Sequence, residues 1–125
     1  MNIKKFFITF GLVAVLLAGT FASAGAVTPV HVTIFKAAYS AGSIRTTVGA
    51  ADKLNQPLSG AKVRVSYEKE GSPIKLLNST SNTLGIARFS SPVTKGKWLV
   101  CVEEINKPGF NYNPAKALCT TIIVP

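Results

Sequence analysis

A cluster of turn-forming residues that runs directly into an alternating apolar segment constrains the fold of this chain more than any other feature. Asp52–Ser59 is rich in Asp, Asn, Pro and Ser, and after Gly60 the segment Ala61–Tyr67 has an apolar residue at every second position. These polar residues favour tight turns, whereas a period of two is typical of a strand with one buried face. The segment therefore predicts the point where one strand leaves a β-sheet and the next enters.

The N-terminal residues have the features of a cleaved secretory signal. Lys4 and Lys5 precede an apolar core, Phe6–Ala18, and the small residues after it predict cleavage after Ala24, with Ala26 as the alternative. A membrane anchor is the competing interpretation, but the apolar run is short for a full span. We expect a signal peptide over residues 1–24, one domain over residues 27–125, and no stable membrane insertion after cleavage.

The charge of the mature chain is basic but dispersed. Loss of Lys4 and Lys5 leaves 12 of the 14 basic residues against 5 acidic ones, a net charge of +7. Nucleic-acid modules usually cluster their cations and interleave aromatic residues, so this class is disfavoured. The charge favours an anionic extracytoplasmic partner, such as an acidic polysaccharide, lipid headgroups or an acidic protein face. A solvated surface that only maintains solubility explains the charge equally well.

The only two cysteines are predicted to form a disulfide. Export places Cys101 and Cys119 where disulfides persist, and pairing of the strands that carry them would bring the two residues opposite each other. Two free thiols or a shared metal are the alternatives. One histidine and the absence of a Cys-x-x-Cys motif disfavour zinc, and we expect neither a metal nor a cofactor.

The rest of the mature chain consists of short alternating segments without helical periodicity. Turn signals recur about every ten residues, and Trp98 alternates in register with Val100 and Val102, which predicts a core position for its ring. This spacing and a count of seven strands predict an all-β, immunoglobulin-like sandwich. The predicted strands cover residues 30–35, 44–50, 61–68, 74–77, 86–89, 98–102 and 118–124.

Four segments carry a family resemblance: Val48–Asp52, Gln56–Val63, Thr83–Phe89 and Lys95–Val102. Together they resemble bacterial Ig-like domains of the invasin and intimin type, and related transthyretin-like or carboxypeptidase-regulatory-like modules. The stretch Cys101–Cys119 is also similar to the disulfide-closed ending of modules appended to secreted proteases and glycosidases. The resemblance implies an Ig-like sandwich that serves as a spacer in an adhesin or as an appendage to a secreted hydrolase. A single copy departs from the usual tandem arrangement.

Residues suited to catalysis do not assemble into a recognisable motif. His31 lies in an alternating strand, where a surface position is expected, and it could join only Asp52 and a serine in a triad for which no Gly-x-Ser-x-Gly elbow is present. Glu103 and Glu104 are adjacent and are expected to point to opposite faces of a strand, so they would not act as one carboxylate pair. We therefore expect a protein without enzymatic activity.

The best candidate for a contact surface is the loop between the two cysteines. It combines aromatic, amide and cationic side chains, and sandwich loops often carry binding functions. Its rings could stack on a sugar while its amides bind hydroxyl groups, or the rings could fold back over the end of the sandwich. The candidate binding residues are Lys107, Phe110, Asn111, Tyr112, Asn113 and Lys116.

Three functions follow from these observations as expectations. The first is an exported, non-catalytic binding or adhesion module that recognises an extracytoplasmic polysaccharide or protein, in the periplasm, at the cell surface or in the medium. The second is a structural subunit that assembles with copies of itself or with a surface complex through exposed edge strands. The third is an accessory factor of a secreted hydrolase.

Overall fold

The computed structural model describes residues 27–113 and 118–125, which form two four-stranded β-sheets and no helix. The predicted signal peptide lies outside the described residues. In the part of the chain that is described, no helix is long and apolar enough to cross a membrane. The strands are β1 (Thr28–Ser40), β2 (Ser43–Asp52), β3 (Lys62–Lys69), β4 (Lys75–Thr80), β5 (Ile86–Pro92), β6 (Gly96–Asn106), β7 (Phe110–Asn111) and β8 (Cys119–Val124).

The first sheet has the strand order β5-β2-β1-β7, and the second has the order β4-β3-β6-β8. Neighbouring strands are antiparallel except β1 and β7, which are parallel. Residues from both sheets form one hydrophobic cluster between them, so the all-β, sandwich-like fold is confirmed. The count of seven strands was wrong, because Phe110–Asn111, predicted as loop, pairs with Thr28–Pro29 as an eighth strand in the described residues.

The core is built from the alternating residues that the sequence indicated. Tyr67 is fully buried, and its hydroxyl lies 2.7 Å from that of Thr46 on the opposite sheet, so the two sheets share a buried hydrogen bond. Trp98 is 7% exposed and its indole N–H donates to the carbonyl of Thr94 at 2.8 Å, which confirms its predicted core position. In both pairs the buried polar groups form a hydrogen bond with each other, which avoids the free-energy cost of burying them without a partner.

Two side chains organise the turns that the sequence predicted. The Asp52 carboxylate accepts hydrogen bonds from the backbone N–H groups of Leu54 and Gln56. The Asn82 amide oxygen accepts in the same way from Leu84 and Ile86. Asp and Asn favour such turns because their short side chains reach backbone donors two to four residues ahead.

A seam of hydrogen bonds joins the sheets at one end of the sandwich. Ala50 of β2 accepts from the N–H of Leu58 and donates to the carbonyl of Gly85. The buried Ser81 hydroxyl accepts from the N–H of Ala61 at 2.9 Å and donates to the Leu58 carbonyl at 2.6 Å. These bonds satisfy backbone groups that the strand ladders leave unpaired, and they fix where β3 starts relative to β2.

A β-bulge in β1 changes which of its side chains face the core. The pairing with β2 shifts between Val32 and Ile34. Beyond the bulge Phe35 packs against the core, whereas Ile34 is 39% exposed. A bulge adds one residue to a strand and so reverses its alternation.

A second bulge, in β6, contradicts the prediction that Glu103 and Glu104 point to opposite faces. Arg64 of β3 pairs with Glu104, but its neighbour Val65 pairs with Val102, so Glu103 is the additional residue. Val102 and Ile105 are both buried in the core. The two glutamates between them therefore both lie on the outer side of the second sheet.

Strand β4 is displaced toward the C-terminus of its predicted position. It was expected over residues 74–77, but it covers Lys75–Thr80. Its last three residues, 78–80, read as a polar turn in the sequence, yet they pair with Lys62, Val63 and Arg64 of β3. Pairing with a neighbouring strand has overridden the local turn preference.

Cys101 and Cys119 form the predicted disulfide. They are direct partners in the ladder between β6 and β8, with their Cα atoms 4.1 Å apart. The two cysteines are separated by 18 positions in the sequence. Closure of a loop of this length contributes about 3 kcal/mol in the chain-entropy model.

The seam predicts that two glycine substitutions differ in cost. Gly85 and Gly42 both have positive φ, but a Cβ at Gly85 would lie 2.6 Å from the Ala50 carbonyl oxygen, whereas a Cβ at Gly42 would meet open space. We expect Gly42→Ala to lower the unfolding free energy by about 1 kcal/mol through backbone strain alone. Gly85→Ala should cost about 3 kcal/mol because steric overlap is added. Urea denaturation of both variants measures the difference, and equal losses would contradict the importance of the seam.

Candidate functional site

The candidate site is a cleft at the end of the second sheet, where β6 continues beyond its last pairing with β8. The cleft has a volume of about 300 Å³. It brings three residues of the predicted binding loop together with side chains from β3 and β6. The lining residues are Arg64, Glu103, Glu104, Ile105, Asn106, Phe110, Asn111 and Tyr112.

The two glutamates of the bulge are held by different partners. A carboxylate oxygen of Glu103 accepts a hydrogen bond from the Ser66 hydroxyl at 2.7 Å. The Glu104 carboxylate forms an ion pair with the Arg64 guanidinium at 3.1 Å. Because these two ion-pair partners are more than 40% exposed, their pairing orients the groups more than it stabilises the fold. With one arginine against two carboxylates, the described lining carries one excess negative charge.

Tyr112 places a polar group that has no partner at this cleft. Its ring packs against the core, and its hydroxyl is buried but makes no hydrogen bond in the described part of the molecule. Burial, and secondarily the negative charge of Glu103, raise the pKa of Tyr112. The hydroxyl is therefore protonated at neutral pH and can donate to a bound molecule. An unsatisfied buried hydroxyl of this kind costs about 1–3 kcal/mol.

The Phe110 ring is contacted on two sides and does not project freely into solvent. It is half-buried against the core. The ammonium group of Lys107 lies 5.5 Å from the centre of the ring and donates a hydrogen bond to the Ser59 carbonyl. This arrangement corresponds to the alternative in which the aromatic residues fold back over the end of the sandwich.

The remaining predicted binding residues are dispersed. Asn111 is exposed in β7 and lines the cleft. Asn113 lies in a neighbouring depression, which it shares with Val32 and Leu118 among others. Lys116 lies outside the described residues, so its predicted role stays a prediction.

Sequence reasoning missed Arg64, Glu103 and Glu104 as members of the site. The bulge has a signal in the sequence, because the apolar residues of β6 are spaced by two up to Val102 and then by three to Ile105. Such a break in the period of a strand indicates an inserted residue. Arg64 has no comparable signal, since its position depends on the pairing of β3 with β6.

The residues considered for catalysis contact separate partners. The His31 ring lies 3.0 Å from the Asn55 side-chain oxygen at the surface, while the Asp52 carboxylate accepts backbone N–H groups of its own turn. Among residues 27–113 and 118–125, no group of three or more His, Cys, Asp or Glu side chains is arranged to hold a metal ion.

Comparison with known proteins does not assign this chain to a family. No family model matches it, and no match was found among curated proteins or solved structures. The geometry of the cleft and of the surface therefore carries the functional argument.

Two tyrosine-to-phenylalanine variants test the state of the Tyr112 hydroxyl. Tyr67→Phe removes the partner of the buried Thr46 hydroxyl and should lower the unfolding free energy by about 1–2 kcal/mol. Tyr112→Phe removes a hydroxyl that lacks a described partner, so the unfolding free energy should stay unchanged or rise. Urea denaturation at neutral pH compares the two. A loss for Tyr112→Phe as large as that for Tyr67→Phe would mean that its hydroxyl is already satisfied.

Proposed function

We propose that this protein is an exported, non-catalytic, Ig-like binding module that recognises an extracytoplasmic carbohydrate through the cleft of Arg64, Glu103 and Tyr112. The observation that carries the proposal is Tyr112, a residue that lines the cleft and whose buried hydroxyl has no described hydrogen-bond partner. A ligand oxygen that accepts this hydrogen bond would recover the cost of leaving it unmade.

The mixture of donors and acceptors in the cleft supports a polyhydroxylated ligand. Glu103 supplies acceptors, Arg64 supplies donors, and the amides of Asn106 and Asn111 supply both. Sugar hydroxyl groups donate and accept in turn, so they can satisfy such a lining without carrying a charge. The cleft volume of about 300 Å³ is at the lower end of small-molecule sites, which favours a single sugar residue or a chain terminus.

The charge of the cleft narrows the class of sugar. Arg64 is already paired with Glu104, and the Glu103 carboxylate has only the neutral Ser66 hydroxyl as a described partner. An acidic sugar would be repelled by Glu103 at this position. We therefore assign the cleft to neutral sugars and not to anionic ones.

Export and the Ig-like type are supported by separate features. The Cys101–Cys119 disulfide is a bond that persists in oxidising compartments, in line with the signal-like N-terminal sequence. Two packed, largely antiparallel sheets are compatible with the Ig-like resemblance carried by segments such as Gln56–Val63. An accessory role beside a secreted hydrolase stays a prediction.

Binding to an array of neutral glycans tests the proposed function. Glu103→Gln removes the charged acceptor and should weaken binding about tenfold, while Tyr112→Phe should weaken it about three- to tenfold. Glu68→Gln serves as the control, because Glu68 lies on the same strand as Arg64 but outside this cleft. Unchanged binding by both cleft variants, or no binding of any neutral glycan by the native protein, would contradict the proposal.

A self-assembling structural subunit is the second candidate, and the edge strand β8 favours it. Within the described residues β8 pairs only with β6, so its other edge is open to strand addition. Ile123 on this strand is 65% exposed, and Leu99 on β6 is 39% exposed.

Light scattering after size-exclusion chromatography tests assembly. If β8 mediates it, the native protein should elute as an oligomer whose population rises with concentration. Ile123→Lys should shift it to the monomer, because a charged edge residue opposes strand addition. The Leu84→Lys variant, an exposed position in the turn before β5, is the matched control. A monomer at all concentrations would exclude this candidate.

A further inference from the structure

The outer face of the first sheet collects cations that are far apart in the sequence. Arg45 and Thr47 of β2 alternate with buried core residues, and so do Arg88 and Ser90 of β5. In the ladder Arg45 pairs with Ser90, and Thr47 pairs with Arg88. Two guanidinium groups and two hydroxyl groups therefore occupy adjacent positions on one face, where they line a shallow cleft.

A third cation borders this group. Lys36 of β1 pairs with Thr47 on the side opposite Arg88, so Lys36, Thr47 and Arg88 form one row across three strands. At the usual strand spacing, the backbones of Lys36 and Arg88 are about 10 Å apart. This backbone separation is comparable to the Debye length, which is about 8 Å at physiological ionic strength, so salt screens the three cations from one another only in part.

No carboxylate among the described residues neutralises this face. Glu103 and Glu104 lie on the other sheet, as does Glu68, and Glu70 follows the end of β3. Asp52 is engaged by the N–H groups of its own turn. Arg64 provides the contrast, because its guanidinium is paired with Glu104 at 3.1 Å.

We propose that Arg45 and Arg88, with the hydroxyls of Thr47 and Ser90, form a cradle that binds the anionic groups of a linear acidic polysaccharide. A guanidinium presents a planar fork of donors that matches the oxygens of a carboxylate or sulfate, and the hydroxyls add further donors. An anion in the cradle also relieves the repulsion between the two arginines.

The shape and composition of the face favour a polysaccharide over other polyanions. Phe35 packs against the core, and Phe89, which also lines this cleft, is only 7% exposed, so the two rings offer nucleic-acid bases little surface for stacking. Among the described residues whose side chains share this outer face, Ile34 is the only large apolar one that is exposed, which gives a bilayer little to bury. A flat row of cations and hydroxyls suits an extended chain that carries charge along its length.

The cradle is independent of the carbohydrate cleft, which is lined by β3 and β6 of the second sheet and by β7 at the opposite edge of the first sheet, and which carries excess negative charge. Glu103→Gln and Tyr112→Phe should therefore leave polyanion binding unchanged. Because these variants change the carbohydrate cleft and not the cradle, they distinguish a failure of the cradle from a failure of the proposed function.

The experiment measures the binding of the protein, expressed from its full-length sequence, to polygalacturonate and to dextran sulfate, with dextran as the neutral control. The native protein should bind at least one polyanion more tightly at low than at high salt, whereas any binding of neutral dextran through the carbohydrate cleft should not depend on salt. The Arg45→Gln, Arg88→Gln double variant should bind the polyanions with an affinity that is lower by about tenfold or more. The Arg64→Gln variant should bind them like the native protein. Thermal unfolding should be similar for all three.

Charge-conserving variants separate a shaped cradle from diffuse attraction. The Arg45→Lys, Arg88→Lys double variant keeps the charge but loses the fork, so its binding should also weaken. If the double lysine variant binds as tightly as the native protein, the cradle is overturned. The cradle is also overturned if Arg64→Gln weakens binding as much as the Arg45→Gln, Arg88→Gln double variant does. Tighter binding to phosphatidylglycerol vesicles than to either polysaccharide would overturn the assignment of the partner.

Discussion

The hydrogen-bonded seam between Ala50, Leu58, Ser81 and Gly85 is the constraint on which the rest of the sandwich depends. It joins backbone groups of the two sheets at one end, where the strand ladders no longer pair them. Because strands have a side-chain period of two, a shift of β3 by one residue would exchange its core and surface faces. The seam holds the start of β3 against the end of β2, and the ladder between β3 and β6 then places the bulge at Glu103.

Features that depend on neighbouring residues in the chain could be predicted from the sequence. The turn that begins at Asp52 is held by the Asp52 carboxylate itself, and the core positions of Val63, Val65 and Tyr67 follow from alternation over a few residues. The disulfide was predictable because a chain with two cysteines allows only one pairing within the molecule. Each of these predictions required only local chemistry or a residue count.

Features that depend on a partner strand could not be predicted in this way. Strand β4 includes a polar segment because β3 offers unpaired groups to it, and the short strand β7 forms because Thr28–Pro29 is adjacent. The same dependence explains the candidate site. Arg64 and Glu104 are separated by about 40 residues in the sequence and meet only through the register of β3 with β6.

The placement of charged residues shows most clearly how local features differ from features that depend on a partner strand. Along the chain the basic residues are dispersed, and composition gives only a net sign, which is a statement about solubility and general attraction. The order β5-β2-β1 places Arg88, Arg45 and Lys36 on neighbouring strands, and their shared parity places them on one face. The same rules place Glu103 and Glu104 on the other sheet. A chain whose cations are dispersed in the sequence thus folds so that three of them share one face of the first sheet, while two glutamates lie on the second sheet.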